Sequence, residues 1–181
     1  SYTDPYFTVD GISQGFDVYH RRTDPTTLSV GRYRSESTGG GIRWGFPIGE
    51  KETLTFGISG DNTALETFAD SPQRYRNFVR EFGDSNFSLP LTAGWASDGR
   101  DSVIYPNKGT YQRATLEVAP PPGDLTYYRL NYQFQRFIPL AKDLTLFVSG
   151  EAAYGNGLRD QSLPFFKNFY GGGINSVRGF E

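Results

Sequence analysis

Residues 127–140, "YYRLNYQFQRFIPL", alternate between apolar and polar side chains over an unusually long stretch. Because successive side chains of a β-strand point to opposite sides, this pattern predicts a strand with two different faces. One face is apolar and carries Tyr128, Leu130, Tyr132 and Phe134. The other face is polar and carries Arg129, Asn131, Gln133 and Gln135. A chain built from such strands must find an apolar environment for one face and a wet environment for the other.

Six further segments show the same period of two, and helical periodicity is nearly absent. The seven predicted strands are 12–22, 37–48, 53–61, 86–97, 110–119, 127–140 and 144–155. Their length is informative, because strands of soluble proteins average about 5–6 residues and tilted membrane strands need about 9–11. The uniform length favours strands that cross a lipid bilayer. A soluble β-sandwich or barrel, in which the apolar face forms the core, is the alternative.

Composition agrees with a membrane sheet and excludes several other classes. Aromatic residues make up 16% of the chain, and there are 22 glycines but no cysteine. The absence of cysteine excludes disulfides, thiolate metal sites and cysteine nucleophiles. A net charge of −2 gives no indication of nucleic-acid binding. No apolar run reaches the roughly 18–20 residues of a membrane-spanning helix.

The predicted connections alternate in length, as they do in outer-membrane barrels. The longest connections, 23–36, 62–85 and 156–181, all follow odd-numbered strands and therefore lie at one end of the sheet. Aromatic residues near strand ends are expected to form interfacial girdles, namely Tyr19, Tyr105, Tyr127, Tyr128, Phe137 and Tyr154. Seven strands cannot close a bacterial barrel, which normally has an even number of at least eight. We therefore expect one part of a larger barrel, and the end of the chain within a Gly-rich stretch agrees.

Three stretches along the chain are distinctive. They are "DPYFTVDGIS" (4–13), the segment 94–130 that begins with Gly-Trp, and "LPFFKNFYGGGINSVRGFE" (163–181) with its Val-Arg-Gly-Phe motif. In this order they resemble a turn, the Gly-Trp turn with the following hairpin, and the Val-Arg-Gly-Phe loop of the BamA family of outer-membrane protein assembly factors. In order and at matching strand spacing, these motifs cover essentially the whole chain. The family resemblance is therefore specific, although each motif alone is weak.

This resemblance implies an all-β fold, an antiparallel transmembrane β-barrel that is partial here. The chain would begin at the end of the fourth strand and hold strands five to eleven of a sixteen-stranded barrel. Residues 1–181 would belong to one C-terminal barrel domain, with periplasmic repeat domains and the remaining strands absent. The expected location is the outer membrane of a Gram-negative bacterium.

The function implied is the assembly and insertion of β-barrel proteins, without enzymatic chemistry or a cofactor. The expected partners are the lipid bilayer, unfolded outer-membrane protein clients and accessory outer-membrane lipoproteins, and no nucleic acid. A pore for two-partner secretion, or a general porin, is the alternative function.

The residues expected to matter most lie in the last loop. The motif Val177, Arg178, Gly179 and Phe180 carries the family resemblance, and Gly171, Gly172 and Gly173 would let the backbone turn without Cβ clashes. Arg178 would then fold back into the polar interior and bind acidic groups of the inner wall. The resemblance implies that those wall residues lie on strands outside this chain.

No residue combination predicts a catalytic, cofactor or metal site. The single histidine, His20, is interpreted as structural, and Asp98 and Asp101 beside Arg100 as a salt-bridged turn. Glu117 and Glu151 would face the enclosed space near Arg113 and Arg129, where charge pairing is the preferred interpretation.

Overall fold

The computed structural model describes residues 1–24, 33–142, 144–159 and 161–168. Over these ranges the chain forms nine β-strands, one α-helix and a turn of 3-10 helix at Phe165–Lys167. The first strands are β1 (Tyr2–Asp4), β2 (Ser13–Thr23), β3 (Tyr33–Pro47) and β4 (Glu52–Thr67), followed by helix α1 (Gln73–Phe82). The remaining strands are β5 (Ser85–Ser88), β6 (Leu91–Asp98), β7 (Gly109–Ala119), β8 (Tyr127–Ala141) and β9 (Leu144–Gly157). The seven predicted strands are confirmed.

The strands form one antiparallel sheet in the order β1-β2-β3-β4-β6-β7-β8-β9, and β5 pairs with the far half of β4. β5 and β6 correspond to a single predicted strand and keep one register along β4, with Asp61 opposite Ser88 and Ile58 opposite Leu91. The strand is interrupted at Pro90, which has no N–H to donate to the ladder. Its carbonyl still accepts a hydrogen bond from the Ser59 amide at 3.0 Å.

The register gives the sheet one continuous apolar face. In neighbouring strands Leu116 pairs with both Ala93 and Leu130, so apolar side chains are aligned across the sheet. This face is open in the chain, with Leu130 45% exposed and Tyr132 37% exposed. A soluble β-sandwich would bury these side chains as its core. The structure therefore does not support the soluble alternative.

The buried core lies on the opposite, polar face, at one end of the sheet. Its strand residues Tyr33, Leu65, Ala119 and Tyr127 alternate with the apolar-face positions. Helix α1 and the segment after β9 cover them and supply Phe78 and Phe165, which are 8% and 2% exposed. The connections after β2, β4, β7 and β9 leave the sheet at this end, which we call the capped end. The prediction that the long connections share one end is confirmed.

Helix α1 lies in a segment that the sequence pattern assigned to a loop, and that assignment was wrong. Tyr75, Phe78, Val79 and Phe82 recur at helical spacing, so they share one face that packs on the core. The helix ends at Phe82. The next residue, Gly83, has a φ of 83° that favours glycine, and its amide donates to the Val79 carbonyl at 2.9 Å. The four aromatic and aliphatic residues were a helical signal within a stretch that otherwise reads as polar.

Three of the predicted girdle aromatics lie at polar-face positions. Phe137 of β8 is one of them, in register with Phe147 of β9. Tyr127 is fully buried in the core on the polar face. Tyr19 occupies a polar-face position as well, opposite Gly39 of β3. Tyr128 and Tyr154 do lie together on the apolar face, with ring centroids 6.0 Å apart. Among the described residues, no helix is long and apolar enough to cross a bilayer.

Candidate functional site on the polar face

A connected group of polar side chains lies on the polar face beside the core. It is formed by Asp61 of β4, Glu117 of β7, Tyr127 and Arg129 of β8, and Lys167 of the segment after β9. Two carboxylates thus stand against two cations, so the group is formally neutral when all four are ionised. We call it the inner-wall network.

Strand register brings the first part of the network together. Glu117 and Arg129 are direct partners on β7 and β8, and Arg129 Nη1 lies 3.7 Å from Glu117 Oε2. The hydroxyl of Tyr127 donates to Glu117 Oε1 at 2.7 Å. The predicted pairing of Glu117 with Arg129 is confirmed, whereas the alternation of the sequence did not indicate a role for Tyr127.

Lys167 joins this pair to a second strand. Its Nζ lies 3.5 Å from Asp61 Oδ2 and 4.0 Å from Glu117 Oε1. The ammonium also stands 5.6 Å from the centre of the Tyr127 ring, within the range of a cation–π contact. One side chain from a loop therefore connects β4 with β7. No sequence signal indicated this, because the three residues are far apart along the chain.

The segment that carries Lys167 is held on the polar face by several independent contacts. Gln161 Oε1 accepts hydrogen bonds from the Thr126 amide at 3.0 Å and the Thr126 hydroxyl at 2.9 Å. The Leu158 amide donates to the Thr126 carbonyl at 2.9 Å. The Phe165 ring stacks on Tyr75 with centroids 4.2 Å apart. The loop after β9 therefore begins against the inner wall.

Asp61 is the most deeply buried charged residue of the network. Its side chain is only 7% exposed, and its Oδ1 has no hydrogen-bond partner in the part of the chain that the structure describes. A buried carboxylate is costly unless it is paired. The Lys167 ammonium supplies such a partner, at 3.5 Å from Asp61 Oδ2.

Away from the network, several of the charged groups singled out in the sequence have local partners. Asp98 binds Arg100 through both oxygens, at 2.8 and 2.6 Å, which confirms the predicted salt-bridged turn. Backbone amides of Lys108 and Asn107 hold the pKa of Asp101 below its usual range. His20 is exposed and bonds Thr38 at 2.8 Å, as expected for a structural residue. Glu151 accepts a hydrogen bond from Asn131 at 2.7 Å. Within the described ranges, no three His, Asp or Glu residues converge as a metal site would require.

One protein family matches the sequence over its whole length. The family model of the Omp85 superfamily domain matches residues 1–181. The chain belongs to the Omp85 superfamily.

Relatives of this Omp85 chain include two assembly factors. Outer membrane protein assembly factor BamA of Neisseria meningitidis serogroup B is 37% identical over 192 residues, covering 100% of this chain and 24% of that protein. BamA of Nitratidesulfovibrio vulgaris is 29% identical over 185 residues, covering 100% of this chain and 22% of that protein. A SAM50-like protein of Schizosaccharomyces pombe is 31% identical over 106 residues, covering 56% of this chain and 22% of that protein. The chain thus spans less than a quarter of these curated relatives.

The fold of the Omp85 chain also matches a solved structure. The crystal structure of BamA from Haemophilus ducreyi lacking POTRA domains 1–3 aligns with a TM-score of 0.87 at 24% identity. The alignment covers 99% of this chain and 36% of that one. The chain is a segment of an outer-membrane β-barrel, and the predicted resemblance to the BamA family is confirmed.

The loop motif predicted from the sequence lies outside the described residues. This applies to the glycines Gly171, Gly172 and Gly173 and to Val177, Arg178, Gly179 and Phe180. The inner-wall network is therefore a second group of interest, which the structure adds to that prediction.

Proposed function

We propose that this Omp85 chain is part of the barrel subunit that assembles β-barrel proteins and inserts them into the bacterial outer membrane. The observation that carries the proposal is the 37% identity, over the whole chain, to an outer membrane protein assembly factor. The second assembly factor, at 29% identity over the whole chain, gives independent support. No specific observation favours the alternative of a secretion pore or porin.

The proposed mechanism uses geometry rather than covalent chemistry. The apolar face contacts the lipid bilayer, and the polar face borders an enclosed wet space. The barrel would weaken the bilayer locally and offer a strand edge as a template, so that unfolded clients pair their backbone groups before they enter lipid. The bilayer, unfolded outer-membrane proteins and accessory outer-membrane lipoproteins are the proposed partners.

We further propose that residues 1–181 belong to one C-terminal barrel domain. Periplasmic repeat domains and the remaining strands would belong to the full-length protein, consistent with the small share of each relative that this chain spans. The capped end, with its long connections, would face the cell exterior, and the shorter turns would face the periplasm.

The Val177–Phe180 motif is proposed to work from inside the barrel. The segment up to Asn168 already lies on the polar face, ten residues before Arg178. Gly171–Gly173 would allow the backbone to turn, and the Arg178 guanidinium would bind acidic groups of the wall elsewhere in the barrel.

The function is tested with the full-length protein in lipid vesicles. Unfolded client is added, and the folded fraction is followed by its altered electrophoretic mobility without heating. Vesicles that contain the protein should fold the client faster than empty vesicles do. Equal rates, combined with passage of a secreted passenger through the protein, would replace the proposal with the pore alternative.

Replacing Arg178 by alanine tests the loop motif in the same assay. We expect slower client folding and a lower melting temperature than in the wild type. Arg76→Ala is the matched control, because Arg76 is an exposed residue of α1. If the two variants behave alike, the proposed role of Arg178 is wrong.

A further inference from the structure

We infer that Lys167 is a positioning residue that fixes the start of the loop after β9 to the inner wall through Asp61 and Glu117. The inference deepens the proposed function, on which its role in assembly rests. It concerns a contact that is separate from the Val177–Phe180 motif, made by a different residue to strands within this chain.

The geometry gives Lys167 a defined receptor on the wall. Its ammonium lies between carboxylates of two strands, 3.5 Å from Asp61 and 4.0 Å from Glu117. The Tyr127 ring borders the same space at 5.6 Å. The Lys167 side chain is only 19% exposed, so the contact is shielded from solvent far more than a surface ion pair.

The wall residues are also held by contacts within the sheet itself. Glu117 is oriented by the Tyr127 hydroxyl at 2.7 Å and by Arg129 on its other oxygen at 3.7 Å. Asp61 stands on β4, whose register is set by pairing with β3 on one side and with β5 and β6 on the other. A preorganised pair of carboxylates therefore selects one position for the incoming cation.

Apolar packing alone would not select that position. Phe165 and Phe166 attach the segment to the core, but hydrophobic contact is largely non-directional. The ion contact is directional, and without it the buried Asp61 carboxylate would lose the ammonium that pairs with it. Lys167 thus adds a directional contact close to the end of a segment that is bonded to Thr126 only at its start, through Leu158 and Gln161. We expect this contact to fix the position of Lys167 and Asn168 on the wall.

The test follows the exposure of the segment in the full-length protein. Asn168 is replaced by cysteine, which is unique here because residues 1–181 contain none; any cysteine elsewhere in the protein is replaced. The rate of labelling by a bulky maleimide is then compared among Lys167→Met, Lys167→Arg and Asp61→Asn. Lys51→Met is the matched control, because Lys51 lies exposed in the turn between β3 and β4. Melting temperature and client folding are measured on the same preparations.

Loss of the cation should expose the segment without unfolding the barrel. Lys167→Met and Asp61→Asn should raise the labelling rate by about tenfold or more, the change expected for a partly buried charged contact. Lys167→Arg should restore labelling to within about twofold of wild type, because arginine keeps the charge and reaches both carboxylates. Lys51→Met should have no effect. Client folding should slow in parallel with the rise in labelling.

Two results would overturn the inference. If neither Lys167→Met nor Asp61→Asn labels faster than the Lys51→Met control, the network does not hold the segment; Asp61→Asn keeps the side-chain shape and decides the case if Lys167→Met misfolds. If labelling rises while client folding stays at the wild-type rate, the contact does not serve assembly. A wild-type protein that does not speed client folding overturns the proposed function alone, and the labelling rates still decide whether Lys167 holds the loop.

Discussion

The absence of a side chain at Gly39 determines where the ring of Tyr19 lies. The two residues are register partners on β3 and β2. A Cβ at position 39 would lie 2.8 Å from the Tyr19 hydroxyl oxygen and 2.6 Å from the Gly60 carbonyl oxygen. The glycines at 39–41 do not interrupt β3, which runs from Tyr33 to Pro47. Gly39 instead lets an aromatic ring rest directly on the backbone of the polar face.

We therefore expect Gly39→Ala to destabilise the barrel by roughly 1–3 kcal/mol, as is typical of overpacking. Gly60→Ala is the control, because its Cβ would meet only the Phe87 ring, at an ordinary 3.5 Å. Urea unfolding of the full-length protein in lipid vesicles measures both free energies. Equal free energies of unfolding for the two variants would show that the backbone at position 39 can shift to accommodate a Cβ without loss of stability.

Helix α1 shows how an element can belong to a barrel without crossing the membrane. Its apolar residues cover the end of the polar face, and Phe78 lies against Phe165 with ring centroids 5.4 Å apart. The helix and the segment after β9 thus share one core. The strands, in contrast, hold their place mainly by the ladder of backbone hydrogen bonds.

The strands could be predicted from the sequence because each face is chemically uniform over a long distance. The core could not, because it combines strand ends with two loop segments on the face that alternation assigns to water. Tyr127 illustrates the point, since its position in β8 gives no hint that Phe165 and Lys167 will cover it. Contacts such as Lys167 to Asp61 join residues far apart in sequence, and a period of two carries no information about them.

Truncating Phe78 should weaken the packing of helix α1 on the sheet. We expect Phe78→Ala to cost about 3–5 kcal/mol of stability, from lost burial and the cavity left behind. Asn77→Ala, on the exposed face of the same helix, should change stability by less than about 0.5 kcal/mol. Limited proteolysis of the full-length protein should cut within α1 in the first variant only. Resistance of both variants would mean that the helix is held by contacts other than its apolar face.

At the scale of the whole molecule, the protein reverses the arrangement of a soluble domain. Its largest apolar surface faces outward, and its small core lies on the polar side under loops. An apolar face of this kind is stable only against lipid, and an open sheet edge is stable there only when further strands complete the barrel. Because the main apolar surface lies on the other face, the polar face can hold charged groups such as the inner-wall network.

This orientation predicts opposite responses to the same charge on the two faces. Leu116 lies in the middle of the apolar face, between Ala93 and Leu130 in register, and Leu116→Arg should cost about 2–4 kcal/mol if that face meets the bilayer core. Gln133 lies on the polar face between Arg113 and Glu151, and Gln133→Arg should be nearly neutral because attraction to Glu151 offsets repulsion from Arg113. Urea titration in vesicles measures both variants of the full-length protein. A larger loss of stability for Gln133→Arg than for Leu116→Arg would mean that the apolar face is turned toward the interior. Both the barrel and the proposed function would then be wrong.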